Sequence, residues 1–490
     1  MKTINKFKVA LLALVLVIIG SCTKNFDEMN VNPNAATVVP ATNVFGRAII
    51  SVAGTLFGER LDVYYAGSYA GHTAHIGIGD YEYRVDINNS MWRGMYTSMT
   101  YFVDAMRLAD GEGNTNLYAA ALTLKAYSAQ KTTDMWGKIP YSEAFRLEDN
   151  IIYPKYDSQK EVYHAILDEL KTAADMFNSG TGNLGAGDFL FNGNLDKWKK
   201  FCNSTRLRVA IRISSVDEAT ANAVITEILN NPDTYPLLTD NSDNAYLWFP
   251  GVPPDQEFWY ERMGAASGIK TDPYRTNYEL IQALKDHNDP RLPVYADKNK
   301  YGVYNGYRFY NGQTMDTLNN GNNVSHIGDR FGNDPKGFSP FMNCAETYFI
   351  LAEIYERGLA SGDAQQAYET AIKRSLEENG IDEAATATFL AQPDVAWDSG
   401  TTSNLDKIYL QKWISLFKQS VEAWSENRRT DVPKITDVSE NYALSHNRPP
   451  FRMAYADEEK SLNTNFPTDV VETDIFWGTQ MWWDTRTDVH

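Results

Sequence analysis

The sequence predicts a mainly α-helical protein, with a scaffold of tetratricopeptide-like helix pairs, long irregular loops and a few short strands. Two observations predict this class. Apolar residues recur at three- and four-residue steps over most of the chain, which is the spacing of one helix face. Three long segments break this pattern and are rich in Gly, Pro, Asn and aromatic residues. No clean 34-residue period occurs, so the helix-pair interpretation depends on helix spacing alone.

The N-terminus has the pattern of an export signal. Three lysines among the first eight residues precede an unbroken apolar run of 11 residues over 9–19. This run fits a signal-peptide core, and it is shorter than the about 20 residues that span a bilayer. It leads into Ile19-Gly20-Ser21-Cys22, which resembles a bacterial lipobox. We predict that residues 1–21 are a lipoprotein signal peptide and that Cys22 is lipidated; the alternative is an ordinary cleaved signal with a chance cysteine.

The next segment is polar. Residues 22–42 contain two prolines and several asparagines, and they predict a lipidated N-terminus and tether. Residues 43–490 are then predicted to form a single domain. Removal of the three signal-peptide lysines shifts the formal net charge from −18 to −21, so anionic lipid head groups give no attraction and acyl chains must supply the membrane attachment.

Helical segments follow one another along the domain. Gly137 and Pro140 end the second of them, and Asp157 or Ser158 caps the third. The predicted helices are 92–106, 117–135, 162–177, 198–213, 341–355, 364–376 and 405–424, the last being one long helix.

Three segments lack helical order, at about 60–90, 231–275 and 296–340. Irregular segments of this length inside a domain are either functional or disordered. Their aromatic content favours ordered ligand-binding loops, with short strands such as 301–310.

The charge and cysteine content exclude some function classes. The acidity argues against nucleic acid as a partner, since binding phosphates requires clustered Lys and Arg. Apart from Cys22, only Cys202 and Cys344 are present, both in helical segments. They form either a disulfide or two buried thiols, and neither has the neighbouring residues of a catalytic cysteine.

Several segments resemble the SusD/RagB family of outer-membrane lipoproteins, in family order and over nearly the whole mature chain. The clearest is DMWGKIPYSEAF at 134–145. The others are YPKYDSQKEVYHAILDEL (153–170), LDKWKKFCNSTRLRVAIRIS (195–214), DPRLPVYA (289–296), MNCAETYFILAEIYERG (342–358), YLQKWISLFKQSVEAWSENRRTDVP (409–433) and RPPFRMAYADEEKSLN (448–463).

This resemblance implies a function. Such a protein sits on the outer face of the outer membrane of a Bacteroidetes-type cell, anchored by its lipid. Lys24, Asp27 and Glu28, just after Cys22, resemble the export signal of these surface lipoproteins. The protein would capture an oligosaccharide and deliver it to a SusC-like TonB-dependent transporter. A peptide-capturing lid of the same fold, as in RagB, is the alternative.

Catalytic motifs are weak in this sequence. His72 and His75 lack the glutamate of HExxH and lie in a Gly-rich segment, so a metal pair is not favoured. The sequence has no GxSxG elbow and no P-loop. A surface glycoside hydrolase remains a third alternative, because 63 acidic residues offer many carboxylate pairs. The resemblance implies no catalysis, no cofactor and no metal.

Loop aromatics are the candidate ligand contacts, because a sugar-binding site needs rings for the apolar faces and polar groups for the hydroxyl rim. Tryptophans at helical spacing are assigned to packing instead, and Trp477, Trp482 and Trp483 to fixing the C-terminal tail. Arg206, Arg208 and Arg212 are assigned to ion pairs within the scaffold. The predicted ligand-binding residues are Trp248, Phe258, Trp259, Tyr260, Tyr81, Tyr83, His75, Arg84, Asn89 and Arg262.

Overall fold

Helices that pack against their neighbours in the chain make up most of the structure. It is a computed structural model that describes residues 39–76, 81, 83–264, 273–310, 319–439, 441–470 and 476–490. The predicted signal peptide and Cys22 lie outside these residues. The first helix begins at Ala41, two residues before the predicted start of the domain.

The elements below are numbered in chain order. The helices are α1 (Ala41–Leu56), α2 (Ala66–Tyr69), α3 (Val85–Gly111), α4 (Thr115–Trp136), α5 (Gln159–Ser179), α6 (Leu195–Ile213), α7 (Glu218–Asn230), α8 (Phe258–Met263), α9 (Tyr278–Asp286), α10 (Leu292–Tyr295), α11 (Asp329–Gly332), α12 (Cys344–Glu356), α13 (Ala364–Glu378), α14 (Glu383–Leu390), α15 (Asn404–Ser415), α16 (Ser420–Thr430) and α17 (Asp457–Leu462). A π-helix spans Arg60–Tyr65, and the strands are β1 (Thr73–His75), β2 (Ala245–Trp248), β3 (Tyr274–Thr276) and β4 (Phe338–Met342).

Helices that are close in the chain pack together in pairs along the scaffold. Contacts join α1 to α3, α3 to α4, α4 to α5, α5 to α6, α6 to α7 and α12 to α13. The predicted mainly α-helical scaffold with few short strands is confirmed. No helix in the described part of the chain is both long enough and apolar enough to cross a membrane.

The boundaries of α4 and α5 follow from local sequence. Helix α4 ends at Gly137, whose φ of 83° favours glycine and whose N–H donates to the Thr133 carbonyl at 2.7 Å. Helix α5 begins with a capping box between Ser158 and Glu161. Of the two predicted caps, Ser158 is therefore the one used, and the Asp157 carboxylate accepts instead from the backbone N–H groups of Tyr141 and Ser142.

Two boundaries near the later helices differ from the prediction. The predicted helix 405–424 is wrong, because the chain breaks between α15 and α16, where Lys418 has a φ of 69°. The break brings the Lys418 ammonium to the buried Glu257 carboxylate at 2.9 Å. Helix α12 starts at Cys344 instead of 341, because the Asn343 side chain caps it and the preceding residues form β4.

The strands form two short antiparallel pairs, β1 with β3 and β2 with β4. The predicted strand at 301–310 is wrong. Within it Tyr307 makes one isolated bridge, to Asn277. Both pairs join segments that are distant in sequence, so they hold the irregular segments against the scaffold.

Buried ion pairs tie the scaffold helices together, as predicted for the arginines of α6. Arg208 donates from Nε and Nη2 to the Glu346 carboxylate, both at 2.6 Å. Arg212 contacts Asp134 at 3.1 Å and Glu426 at 3.0 Å, and it also bonds Glu422. All these side chains are buried, so their charges serve packing between helices.

The two thiols do not pair. Cys202 and Cys344 are both free and buried. The Cys202 thiol donates to the Leu170 carbonyl at 3.4 Å, and the Cys344 thiol donates to Asn241 Oδ1 at 3.2 Å. Of the two predicted alternatives, the structure has buried thiols.

Candidate functional site

Trp248 is the most exposed of the predicted aromatic residues. It ends β2, where it pairs with Phe338 of β4, and 59% of its surface is accessible. Its ring lies 5.0 Å from the Phe338 ring, centroid to centroid, and 6.1 Å from the Tyr246 ring. Phe338 and Tyr246 in turn stack at 4.6 Å and 10°. The exposed indole is thus backed by two fixed rings.

A cavity of about 420 Å³ opens beside this indole. It lies within the range of about 300–1,000 Å³ that is usual for small-ligand sites. Polar side chains line the cavity together with Leu190 and Phe191. They come from α6 and the turn before it, from β2 and the turn before it, and from α11 and α13. They are Asn192, Lys197, Asn241, Ser242, Asn244, Tyr246, Arg330 and Glu378. We call this site the Trp248 cavity.

The asparagines of the Trp248 cavity are fixed by the scaffold. Asn244 Oδ1 accepts from the Cys344 N–H at 2.8 Å, at the start of α12. Asn241 Nδ2 donates to the Arg374 carbonyl at 3.1 Å, near the end of α13. The turn that leads into β2 is therefore held by two helices, and the rim is preorganised.

Two charged groups face the Trp248 cavity from α11 and α13. The Tyr246 hydroxyl donates to the Glu378 carboxylate. Desolvation raises the pKa of Glu378 above its ordinary value, although this hydrogen bond and the nearby Arg330 act in the opposite direction. The Arg330 guanidinium lies 5.2 Å from the Phe338 ring centroid and 5.6 Å from that of Phe331.

The second group of predicted residues lies on α8, where they differ in burial. Trp259 is fully buried, with its ring 5.9 Å from Phe417 and the Lys418 ammonium 4.8 Å above it. Its assignment as a ligand contact is corrected, because the break between α15 and α16 covers it. Phe258 packs on Phe249 at 4.9 Å and Arg262 pairs with Glu59 at 3.4 Å. Tyr260, on the same short helix, is partly exposed.

Tyr81 is also buried, which corrects its assignment. Only 3% of its surface is accessible. Its ring packs against Tyr69 at 5.2 Å, Phe309 at 5.4 Å and Trp477 at 5.9 Å. Tyr81 thus joins three separate parts of the chain in the core.

Tyr83 and Asn89 hold α17 in place. The Tyr83 hydroxyl donates to Asp457 Oδ1 at 2.7 Å, and Asn89 Oδ1 accepts from the Asp457 N–H at 2.9 Å. Arg84 lies beside them, immediately before α3, with a guanidinium nitrogen 3.6 Å from Asp86. These contacts are structural, and Tyr83, Asn89 and Arg84 each keep partial exposure.

His75 belongs to a second aromatic group, at the β1–β3 pair. Its ring lies 5.2 Å from Tyr64 and 5.1 Å from Tyr274, nearly perpendicular to the latter. The third irregular segment joins here, because the Thr276 N–H donates to the Ser325 carbonyl at 3.1 Å. The structure therefore brings the three predicted loops together at β1–β3, but Trp248 lies on the other strand pair.

The part of the chain that the structure describes contains no cluster of three or more His, Cys, Asp or Glu side chains that could hold a metal ion.

The comparisons with known proteins decide the family. A SusD-like family model, described as "Starch-binding associating with outer membrane", matches residues 33–456. The chain belongs to this SusD-like family. The resemblance seen in the sequence is confirmed. Proteins of curated function gave no match.

Solved SusD homologues share the fold. A chitin-binding SusD homologue from Flavobacterium johnsoniae is 24% identical, with a TM-score of 0.77 over 90% of this chain and 99% of that one. A SusD homologue from Bacteroides uniformis is 23% identical, with a TM-score of 0.76 over 90% and 99%. One from Bacteroides fragilis is 23% identical, with a TM-score of 0.74 over 92% and 100%. At this identity the likeness establishes the fold.

Sequence reasoning missed three charged residues of this SusD-like protein's Trp248 cavity, Lys197, Arg330 and Glu378. Arg330 lies inside the predicted loop 296–340, yet nothing in its neighbours distinguishes it from other loop arginines. Glu378 ends α13 and is expected on a solvent-facing helix end. Arg330 and Glu378 reach the cavity only through the tertiary fold. A search for charged residues near the ends of the segments that flank Trp248 would therefore have proposed neither of them.

Proposed function

We propose that this SusD-like protein captures a glycan at the cell surface, at the Trp248 cavity, and passes it to a SusC-like TonB-dependent transporter. The observation that carries the proposal is an exposed indole at the mouth of a 420 Å³ cavity with a polar rim. The family description, starch-binding and associated with the outer membrane, supports it. The proposal is binding without catalysis.

The chemistry of the Trp248 cavity suits a sugar. A sugar ring has an apolar C–H face, which packs on an aromatic ring, and a hydroxyl rim, which needs donors and acceptors. Trp248 supplies the ring, and Lys197, Ser242 and Asn192 lie at the rim. Since Phe338 and Tyr246 support the indole, little conformational entropy is lost when a sugar stacks on it.

A glycan screen tests the capture. The purified protein is expected to bind at least one oligosaccharide and to release it unchanged. Trp248→Ala is expected to weaken this binding by about 1–3 kcal/mol, or roughly 5- to 150-fold. Tyr153→Ala is the matched control, because Tyr153 is an exposed ring (47%) outside the Trp248 cavity. Equal affinity of Trp248→Ala and wild type would refute the assigned site.

Attachment to the membrane is the second part of the proposal. The lipobox-like sequence before Cys22 supports a lipid anchor. We expect wild-type protein to incorporate labelled palmitate and to fractionate with the outer membrane. Cys22→Ser is expected to lose the label and to appear in the soluble fraction. A membrane-bound Cys22→Ser protein would show another means of attachment.

The transporter is the third part. We expect the protein to copurify with a large β-barrel transporter after gentle detergent extraction. Trp248→Ala should copurify equally well, since it changes only the sugar platform. Recovery of the wild-type protein alone would contradict delivery to such a partner.

A further inference from the structure

Arg330 lies beside two aromatic rings at the Trp248 cavity. Its guanidinium makes no hydrogen bond and no ion pair to another residue in the described part of the chain. Its Nε is enclosed and has no partner there, and the guanidinium lies 5.6 Å from the Phe331 ring centroid and 5.2 Å from that of Phe338. By contrast, Arg208, Arg212 and Arg429 are each paired with at least one carboxylate. A fixed guanidinium with open donors is suited to an anion.

The carboxyl group that lines the same cavity is not ion-paired with this guanidinium. Glu378 makes no ion pair with Arg330 within 4 Å in the described part of the chain, and it accepts from the Tyr246 hydroxyl. Lys197 also lines the Trp248 cavity and adds a second cation, whose ammonium group donates to the Ser242 carbonyl.

Other acidic residues around the Trp248 cavity already have cationic partners. Asp240 lies 3.0 Å from Arg374, and Asp243 lies 2.8 Å from Lys200. The net charge of −18 on the chain is distributed over the whole molecule. At physiological salt it is screened beyond about 8 Å. The charged groups that line the cavity are Arg330, Lys197 and Glu378, so a ligand there meets two cations and one carboxyl group.

We propose that the glycan captured at the Trp248 cavity carries an anionic group, a carboxylate or a sulfate ester, which binds the Arg330 guanidinium while the sugar ring packs on Trp248. This inference rests on the proposed capture function and adds the ligand class. A carboxylate can accept two parallel hydrogen bonds from the guanidinium. Lys197 lines the same cavity and offers a second cation for an anionic unit.

A matched pair of ligands tests the carboxylate arm. Oligogalacturonate and its carboxyl-reduced counterpart, a neutral oligogalactose, differ only at C6, which is a carboxylate in one and a hydroxymethyl group in the other. Titration calorimetry with wild-type protein is expected to give about tenfold or more tighter binding of an acidic oligosaccharide than of its neutral counterpart. Carrageenan oligosaccharides and their desulfated counterparts, which are neutral galactans, test the sulfate arm in the same way.

Two substitutions at Arg330 separate charge from shape. Arg330→Gln is expected to remove the preference for the acidic member of the pair, so that the variant binds the acidic and neutral members with affinities within about twofold of each other. Arg330→Lys is expected to keep part of the preference, since it keeps the charge and loses the planar fork. Circular dichroism of each variant is compared with that of wild type.

Each outcome has a fixed meaning. Equal binding of acidic and neutral members by wild type in both arms overturns the inference and leaves glycan capture standing. An acidic preference that survives Arg330→Gln also overturns it. Absence of binding to every glycan tested overturns the proposed function together with the inference.

Discussion

The buried ion network of the scaffold and the Trp248 cavity use the same side-chain types in opposite ways. In the network, Arg212 is fully buried among the carboxylates of Asp134, Glu422 and Glu426. In the cavity, Arg330 is partly exposed and has no carboxylate partner among the described residues. The comparison teaches that the paired cations serve packing between helices, whereas the open guanidinium of Arg330 is available for the ligand that we propose.

Removal of a network arginine has the largest expected effect. Arg212→Met removes the buried cation that Asp134, Glu422 and Glu426 share. Its loss is expected to lower the free energy of unfolding by about 3–5 kcal/mol. Arg330→Met is expected to change it by less than about 0.5 kcal/mol. Urea denaturation of both variants measures the difference. Similar losses for the two would break the distinction between the regions.

The two tryptophans of the segment 231–275 give the next test. Trp259 is buried and Trp248 is exposed, so Trp259→Ala is expected to cost about 3–5 kcal/mol of stability and Trp248→Ala less than about 1 kcal/mol. Thermal unfolding measures both. A strongly destabilised Trp248→Ala would show that this ring is packing rather than a platform.

A buried carboxyl without an ion-pair partner gives a smaller, pH-dependent effect. Asp62 Oδ1 accepts from the Ser420 N–H at 2.8 Å, but burial raises the pKa of Asp62 to about 7. The folded state therefore binds a proton that the unfolded state releases near pH 4, so stability falls as pH rises from about 4 to about 7 and is level above that range.

Asp62→Asn isolates this contribution. The variant keeps the Oδ1 acceptor and carries no charge, so it is expected to lack the part of the fall that comes from Asp62, at most about 1.4 kcal/mol per pH unit. Other groups shift the curve too, since burial also raises the pKa of Glu279 to about 7. The comparison is thus between wild type and variant at each pH. Parallel curves would show that Asp62 stays charged.

Local signals explain what was predictable from the sequence. Helices α4 and α5 were found because Gly137 and Ser158 end and begin them by local backbone chemistry. The structural role of Arg208 and Arg212 followed from their place on a helix whose apolar residues were expected to pack in the core. The break before α16 was missed, because it contains neither Gly nor Pro and depends on the distant contact between Lys418 and Glu257.

The site was only partly predictable for the same reason. Trp248 and Trp259 lie in one Pro-rich segment, and both satisfied the criterion of an aromatic residue outside the long helices. Their difference comes from tertiary structure: Phe417 covers Trp259, whereas Trp248 ends a strand at the surface. Arg330 and Glu378 reach the cavity from other parts of the chain, which no local pattern reveals.

Hydrogen–deuterium exchange with and without a saturating glycan tests the central claim most directly. Exchange is read by mass spectrometry on all peptides of the protein. The account predicts slower exchange in peptides covering 188–197 and 241–249, which line the Trp248 cavity. Protection confined to the β1–β3 pair and its neighbours, with no change at 241–249, would contradict it and place the glycan at His75 and Tyr274 instead.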